Sequence, residues 1–341
     1  VGEWKFDKFI ILKKENNPEE PPPLPFMVKN GYIFHSDKTC IFKPGFVSMI
    51  EGKSREENQI LYLGNSTKYK IKNDSLKIQN LETNKWNNYK IVSITSDTMT
   101  LQKTEDELLK YYKTNYVINP NENYDKIIVS SSGCYGTCAI FDWLISKNDN
   151  SLFFGERYNS KNGIFSAKIS KDLFKEIENS FKKSNITKLK NRYSSNWTDL
   201  NEISVTFIKD NKIIKTVSDY GGEAPDEFRM SYLRTNYLYQ TLDLENKKEI
   251  LPFQSIGQVS KSNKLIYFEK SEIFYLFYLL LNGKDLPAKK ISTIYTLKGF
   301  GKNDEETEIK SDGRFFVFNN RLIDIGFNFF ELNDFTNRNL D

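Results

Sequence analysis

The chain has 341 residues, enough for two or three domains that each bury a core of their own. Lys and Arg number 49 against 45 for Asp and Glu, and the net charge of +4 is interspersed along the sequence. This charge pattern does not indicate a nucleic-acid-binding protein. Apolar runs stay well short of the roughly 18–20 residues of a transmembrane helix, so we expect no membrane span.

Residues 1–118 are predicted to form an antiparallel β-barrel. In residues 69–78, apolar residues alternate on both sides of a turn at Asn73-Asp74, which is typical of a β-hairpin. Residues 89–101 repeat the pattern around a turn at Ser96-Asp97. Short alternating strands joined by tight turns favour an all-β domain.

The N-terminal Gly2-x-Trp4, followed by up-and-down hairpins, resembles lipocalin-like β-barrels. The run from Trp86 to Leu101 is similar to the lipocalin-like domains of exported bacterial proteins. The resemblance implies a closed barrel that can hold one small apolar ligand in its lumen. In the alternative interpretation, aromatic side chains fill the interior.

Three further segments complete this half of the chain. Residues 21–25 are Pro-rich and predict a loop. Residues 105–112 predict a two-turn helix over one end of the barrel, because acidic residues come first and a lysine later, as the helix dipole prefers. The polar residues 119–123 predict a linker into the next domain.

Residues 119–245 are predicted to form a two-layer α+β sandwich, since strands followed by a helix occur twice. The first helix begins after Ser170, which can cap it. The second begins with Pro225 at its first helical position, and Asp226 and Glu227 occupy its first turn.

Residues 246–341 are predicted to form a small α+β domain, which makes the whole chain a multidomain α+β protein. Its main element is an all-round apolar helix over residues 271–281, capped by Ser271 and buried on most sides. Short strands follow, with residues 327–330 among them.

Cys134 and Cys138 lie in the connection between two apolar strands of the central domain. A disulfide is one interpretation, with Gly136 adopting a positive φ to let the turn close. A reduced pair packed as small hydrophobic residues is a second, and a redox-active or metal-binding pair is a third. A bridge over so short a loop would stabilise the fold by about 2 kcal/mol.

The segment Gly133-Cys134-Tyr135-Gly136-Thr137-Cys138 resembles a bacterial domain family of unknown function marked by Cys-[Phe/Tyr]-Gly-x-Cys-Pro-x-[Tyr/Phe]. Ala139 replaces the proline of that motif, and Phe141 keeps its aromatic residue. The resemblance covers about residues 120–242. It implies a domain boundary and a cell-envelope setting, and it brings no activity with it.

Aromatic residues and carboxylates occur together in two loops after the first helix of this domain, and with Tyr135 they form the predicted recognition surface. Its members are Tyr135, Tyr193, Trp197, Asp199, Asp219 and Tyr220. Asp199 and Asp219 could share acid and base roles, but turn or cap positions suit them better.

The sequence predicts a non-catalytic protein that binds a protein partner or a small apolar ligand and needs no cofactor. His35 is the only histidine, and no serine near it lies in a nucleophile motif, so a Ser-His or Cys-His enzyme is not indicated. The alternative function is thiol-disulfide exchange through Cys134 and Cys138. We expect an exported protein at the bacterial periplasm or cell surface, and a lipid anchor on its precursor would fit.

Overall fold

The computed structural model describes residues 1–12, 30–54, 57–148, 150–247, 251–262, 264–287, 289–301, 305–333 and 335. The predicted Pro-rich loop at residues 21–25 lies outside them. The chain forms two compact units, each built from several chain segments. The barrel unit comprises Val1–Pro120, Asn179–Ile186 and Gly222–Thr241, and the sheet unit comprises Asn121–Glu178, Thr187–Gly221 and Leu242–Asp341.

The barrel unit contains a closed antiparallel barrel, as the sequence predicted, and the structure shows that it has eight strands. Each strand pairs with the next along the chain, and β8 closes the barrel on β1. The strands are β1 Gly2–Ile11, β2 Gly31–Phe34, β3 Thr39–Ile50, β4 Gln59–Lys72, β5 Ser75–Gln79, β6 Trp86–Ile94, β7 Thr98–Gln102 and β8 Glu107–Lys113.

The predicted helix over residues 105–112 is wrong, because most of this segment is strand β8. Leu109 and Tyr111 alternate into the barrel interior, where both are buried, and Tyr111 pairs with Phe6 of β1. Ladder hydrogen bonds and this burial outweigh the local charge pattern that suggested a helix.

The barrel interior is packed with side chains, half of them aromatic. Its buried residues are Trp4, Phe6, Tyr32, Phe34, Cys40, Tyr69, Leu76, Ile78, Met99, Leu101, Leu109 and Tyr111. Burial raises the pKa of the Cys40 thiol to about 12. This packing matches the interpretation in which side chains fill an eight-stranded barrel.

Helix α2, Asp226–Asn236, packs on β3 within the barrel unit. Its Glu227 meets Lys43 of β3 in a nearly buried ion pair, and Lys43 also lies 2.8 Å from Glu3 of β1. The Tyr116 hydroxyl donates a hydrogen bond to Glu227. The sequence predicted Pro225 at the first helical position. In the structure Pro225 precedes the helix, and Asp226 is the first helical residue.

The sheet unit contains an eight-stranded mixed sheet in the order β13-β15-β14-β9-β10-β11-β12-β16. Helix α1, Lys171–Lys182, follows β12, and the Ser170 hydroxyl caps it through the Leu173 N–H. The strands are β9 Lys126–Ser131, β10 Ile140–Ser146, β11 Ser151–Arg157, β12 Gly163–Ala167, β13 Arg192–Ser194, β14 Glu202–Lys209, β15 Lys212–Tyr220 and β16 Glu245–Asn246.

A seven-stranded sheet in the order β18-β17-β20-β21-β22-β23-β19 completes the sheet unit, and helix α3, Lys270–Asn282, contacts both sheets. Its strands are β17 Ser255–Lys261, β18 Lys264–Ile266, β19 Lys284–Leu286, β20 Tyr295–Phe300, β21 Glu306–Ser311, β22 Phe315–Phe318 and β23 Arg321–Asp324.

Two local predictions in this region are wrong. Ser271 is a buried helical residue, and Glu269 caps α3 through a capping box with Glu272. Phe329–Asn333 is a short helix, α4, where the sequence had suggested a strand at 327–330. Phe329 and Phe330 are both buried, and a run of aromatic residues does not distinguish a buried strand from a buried helix.

The described part of the chain is therefore a closed barrel and two further sheets with few helices, so it is mostly β. The finer description as a multidomain α+β protein, with boundaries near residues 118 and 245, stays a prediction.

Candidate recognition site at the disulfide loop

The disulfide loop, residues 132–139, joins β9 to β10. The sulfur atoms of Cys134 and Cys138 lie 2.00 Å apart as a disulfide, with Cα atoms separated by 5.7 Å. The Gly136 N–H donates to the Cys134 sulfur at 3.2 Å. Gly136 is not in the positive-φ region, so the expected left-handed turn there is wrong. The residue contributes its amide hydrogen to the loop instead.

The Trp197 loop, residues 195–201, leads from β13 into β14 and is fixed by Tyr220 at the end of β15. The Ser195 N–H donates to the Tyr220 carbonyl at 3.0 Å, and the Leu200 N–H donates to the Tyr220 hydroxyl at 3.2 Å. Gly221 has φ +74°, and a Cβ there would lie 2.5 Å from Leu200. Only glycine fits this position without strain.

Backbone hydrogen bonds connect the two loops. The Tyr135 N–H donates to the Asp199 carbonyl at 3.2 Å, and the Ser132 N–H donates to the Glu202 carbonyl at 2.9 Å. The Ser132 hydroxyl in turn accepts from the Glu202 N–H at 2.8 Å. The disulfide loop and the Trp197 loop therefore form one continuous surface on the sheet unit.

The six predicted recognition residues divide by exposure. Tyr135 is 81% exposed and Trp197 is 50% exposed, and Asp199 is exposed beside them. Tyr193 and Tyr220 are half-buried. Asp219 is only 1% exposed, so its assignment to a surface is wrong. It lies on β15 between β13 and β14, in a part of the strand that is covered on both faces, since its neighbour Ser218 is buried as well.

A row of polar side chains crosses the sheet near the strand ends from which these loops leave. Strand register makes its members direct neighbours on five adjacent strands, so their side chains share one face of the sheet. From β10 to β13 they are Asp142, Ser130, Ser204, Ser218 and Arg192. All except Arg192 are buried.

The first turn of α3 binds this row. The Ser271 N–H donates to the Ser204 hydroxyl at 3.0 Å. The Lys270 ammonium lies 2.8 Å from Asp142 and 2.7 Å from Glu156. The contacts satisfy a backbone N–H at the start of the helix and give Asp142 a cation partner.

Burial raises the pKa of the Asp142 carboxyl, although Lys270 opposes the effect. For Lys270, burial alone would lower the pKa, but Asp142 and Glu156 outweigh it and raise the pKa. Burial, followed by the charge of Glu202, also raises the pKa of Glu269. Of the two carboxylates that pair with Lys270, Asp142 has thus lost nearly all of its contact with water, whereas Glu156 remains exposed.

Sequence reasoning missed this network. Asp142 was the available signal, since it is an isolated charge within the apolar run 139–145. Its partner Lys270 is 128 residues away along the chain, a separation that no local pattern bridges.

The arrangement can hold two loops firmly and present aromatic side chains above them. The residues of the sheet unit include no histidine, because His35 is in the barrel unit. Within the ranges that the structure describes, no three His, Cys, Asp or Glu side chains are grouped so that they could hold a metal ion.

A known family covers the strands and loops that form this surface. Residues 125–239 match the family model of DUF6438, a domain of unknown function. This match confirms the predicted resemblance of residues 120–242 to a domain family of unknown function, over residues 125–239. The DUF6438 domain includes β9 to β15, both loops and the Cys134–Cys138 pair. Neither the curated proteins nor the solved structures gave a match to the chain.

The matched segment includes residues of both compact units, because Asn179–Ile186 and residues 222–239 belong to the barrel unit. Among the helices of the described residues, none is long and apolar enough to cross a membrane.

Proposed function

We propose that this chain is an exported, non-catalytic binding protein that contacts a protein partner through the disulfide loop and the Trp197 loop. The observation that supports it is the exposure of Tyr135 and Trp197 on two loops that are hydrogen-bonded to each other. Tyr and Trp are the residue types that most often dominate protein interfaces, because they bury a large area with few rotatable bonds.

A protein partner is better supported than a small apolar ligand in a lipocalin-like lumen. Twelve buried side chains already occupy the barrel interior. Loops on a sheet, in contrast, combine a fixed position with accessible side chains, and they commonly carry binding sites.

The binding proposal predicts a specific contact at Tyr135. A photo-crosslinking amino acid at position 135, in the protein expressed in its source cells, should give one discrete adduct, and Trp197→Ala in the same protein should remove it. The matched control places the crosslinker at Tyr267, which is 56% exposed and also belongs to the sheet unit.

Trp197→Ala should change the free energy of unfolding by no more than about 0.5 kcal/mol, because the side chain is exposed. The proposal fails if position 135 gives no adduct, or if positions 135 and 267 give the same one.

Thiol-disulfide exchange is the second candidate, since both cysteines are half-buried and the Gly136 N–H reaches the Cys134 sulfur. A hydrogen bond to a sulfur favours its thiolate form. We expect a structural bridge all the same. The Cys134→Ser/Cys138→Ser variant should lose no more than about 2 kcal/mol of unfolding free energy, because the closed loop is so short.

Redox titration separates the two roles. A structural disulfide should have a potential below about −300 mV. A potential near that of thioredoxin-type proteins, about −270 mV or higher, together with rapid alkylation of one thiol at mildly acidic pH, would assign the redox role instead.

A further inference from the structure

The outer wall of the barrel at strands β4, β5 and β6 is basic. These three strands contain five lysines and neither Asp nor Glu: Lys68, Lys70, Lys72, Lys77 and Lys90. Along the sequence these lysines are separated by other residue types, and the net charge of the chain is only +4. The pairing of β4, β5 and β6 brings these separate lysines together on one part of the barrel.

The strand register places all five lysines on one face. Lys68, Lys70 and Lys72 occupy alternate positions of β4, on the face opposite the buried Tyr69, so each is about 6.8 Å from the next. Lys70 is the direct partner of Lys77, and Ser75 pairs with both Lys72 and Lys90. We call this surface, with Trp86, the lysine face.

The lysine face is not neutralised by ion pairs among the described residues. None of its five lysines forms an ion pair with a carboxylate of the described residues, whereas lysines elsewhere on the barrel do. Like charges directly opposite each other on paired strands are destabilising, and Lys70 and Lys77 are such a pair. An anionic surface would remove this repulsion.

Trp86 adds an apolar group to the same face. Its register partner is Gln79, which lies two residues beyond Lys77 on β5, and the Lys70 ammonium lies 3.9 Å from the centre of its ring. The ring is 38% exposed. Tryptophan favours the interface between lipid headgroups and water, where its polar and apolar parts are both accommodated.

We propose that the lysine face docks on the anionic phospholipid headgroups of a membrane surface. Lysines near such a surface each add to its attraction. The face is the outside of a closed barrel, so it presents separate charges on a convex wall and not the groove that usually follows a nucleic-acid strand. Mobile headgroups can gather below each ammonium group. This inference is independent of the disulfide loop and its partner.

The test measures sedimentation of the full chain with vesicles of phosphatidylcholine alone, or of phosphatidylcholine mixed with phosphatidylglycerol. We expect binding to the mixed vesicles only, and release as salt is raised. Replacing all five lysines of the face by Gln should weaken binding at least about 100-fold. Trp86→Phe should remove the part of the fluorescence that brominated lipids quench.

A control variant removes the same charge from another surface, so that net charge cannot explain the result. It replaces five exposed lysines of the sheet unit by Gln: Lys171, Lys175, Lys188, Lys190 and Lys212. This variant should retain binding within about threefold. Equal loss in both variants, no binding to mixed vesicles, or binding to heparin without binding to vesicles would each overturn the proposal. Circular dichroism establishes that both variants are folded.

Discussion

Replacing Lys43 by Ala is expected to lower the free energy of unfolding by about 3 kcal/mol, the cost of leaving buried charge without its partner. The Lys43 side chain is 8% exposed and is shared between Glu3 and Glu227. Lys183 remains 2.8 Å from Glu3, and Tyr116 still donates to Glu227, so the loss stays at the lower end of the usual range. Urea unfolding followed by circular dichroism at neutral pH measures it.

The control for this prediction is Lys110→Ala. Lys110 pairs with Asp7 at 3.9 Å, and both side chains are more than a third exposed. Such a pair contributes little, so the change should stay within about 0.5 kcal/mol. If Lys43→Ala is as mild as Lys110→Ala, the charge cluster is not a source of stability.

The Lys43→Ala variant should also differ from the parent chain in how its free energy of unfolding depends on pH. Burial would raise the pKa of Glu3, but Lys43 and Lys183 outweigh burial and hold the pKa below its usual value of 4.5. A carboxyl whose pKa is depressed on folding stabilises the fold above its unfolded pKa, and this stabilisation is lost as pH falls through the folded pKa. Without Lys43 the depression is smaller. Between pH 6 and pH 3 the variant should therefore lose less stability than the parent chain does.

Leu276→Asp is expected to abolish cooperative unfolding of the sheet unit. Leu276 is 0% exposed in the middle of α3, which contacts β9, β10 and β14 of one sheet and β17 of the other. Truncating a buried leucine costs about 2–5 kcal/mol, and an unpaired carboxylate adds a desolvation cost. Thermal unfolding followed by near-ultraviolet circular dichroism reports the loss.

Leu265→Asp is the matched control, because Leu265 is 51% exposed in the same unit. It should leave the midpoint of unfolding within about one to two degrees. A Leu276→Asp protein whose midpoint also stays within about a degree would place Leu276 outside the core.

The sequence was most informative where structure depends on neighbouring residues. The hairpin at Asn73-Asp74 and the cap at Ser170 formed as predicted, because alternation and capping are local effects. Strand β8 was mistaken for a helix because its local charge pattern also suits a helix, although β7 pairs with it from a few residues away. Its other partner, β1, is about a hundred residues away and closes the barrel. The position of Ser271 likewise depends on Ser204 and Thr206 of a distant strand.

The candidate surface was found only in part for the same reason. Tyr135 and Trp197 could be singled out as aromatic residues in loops, and the structure exposes both. The polar row and Lys270 were missed, because strand register is needed to make Asp142, Ser130 and Ser204 neighbours. Glu227 was recognised as a helix-dipole residue, whereas its partner is a lysine 184 residues away.

The segmented composition of the barrel unit also sets an order of events during synthesis. Val1–Pro120 is made before Gly222–Thr241, and about 100 residues separate the two segments. At bacterial and eukaryotic synthesis rates this gap lasts roughly 5–20 s. During that time β3 lacks its packing partner α2, and Lys43 lacks its ion-pair partner Glu227. The barrel unit is therefore complete only after α2 has been made, and α2 lies within the segment that matches DUF6438.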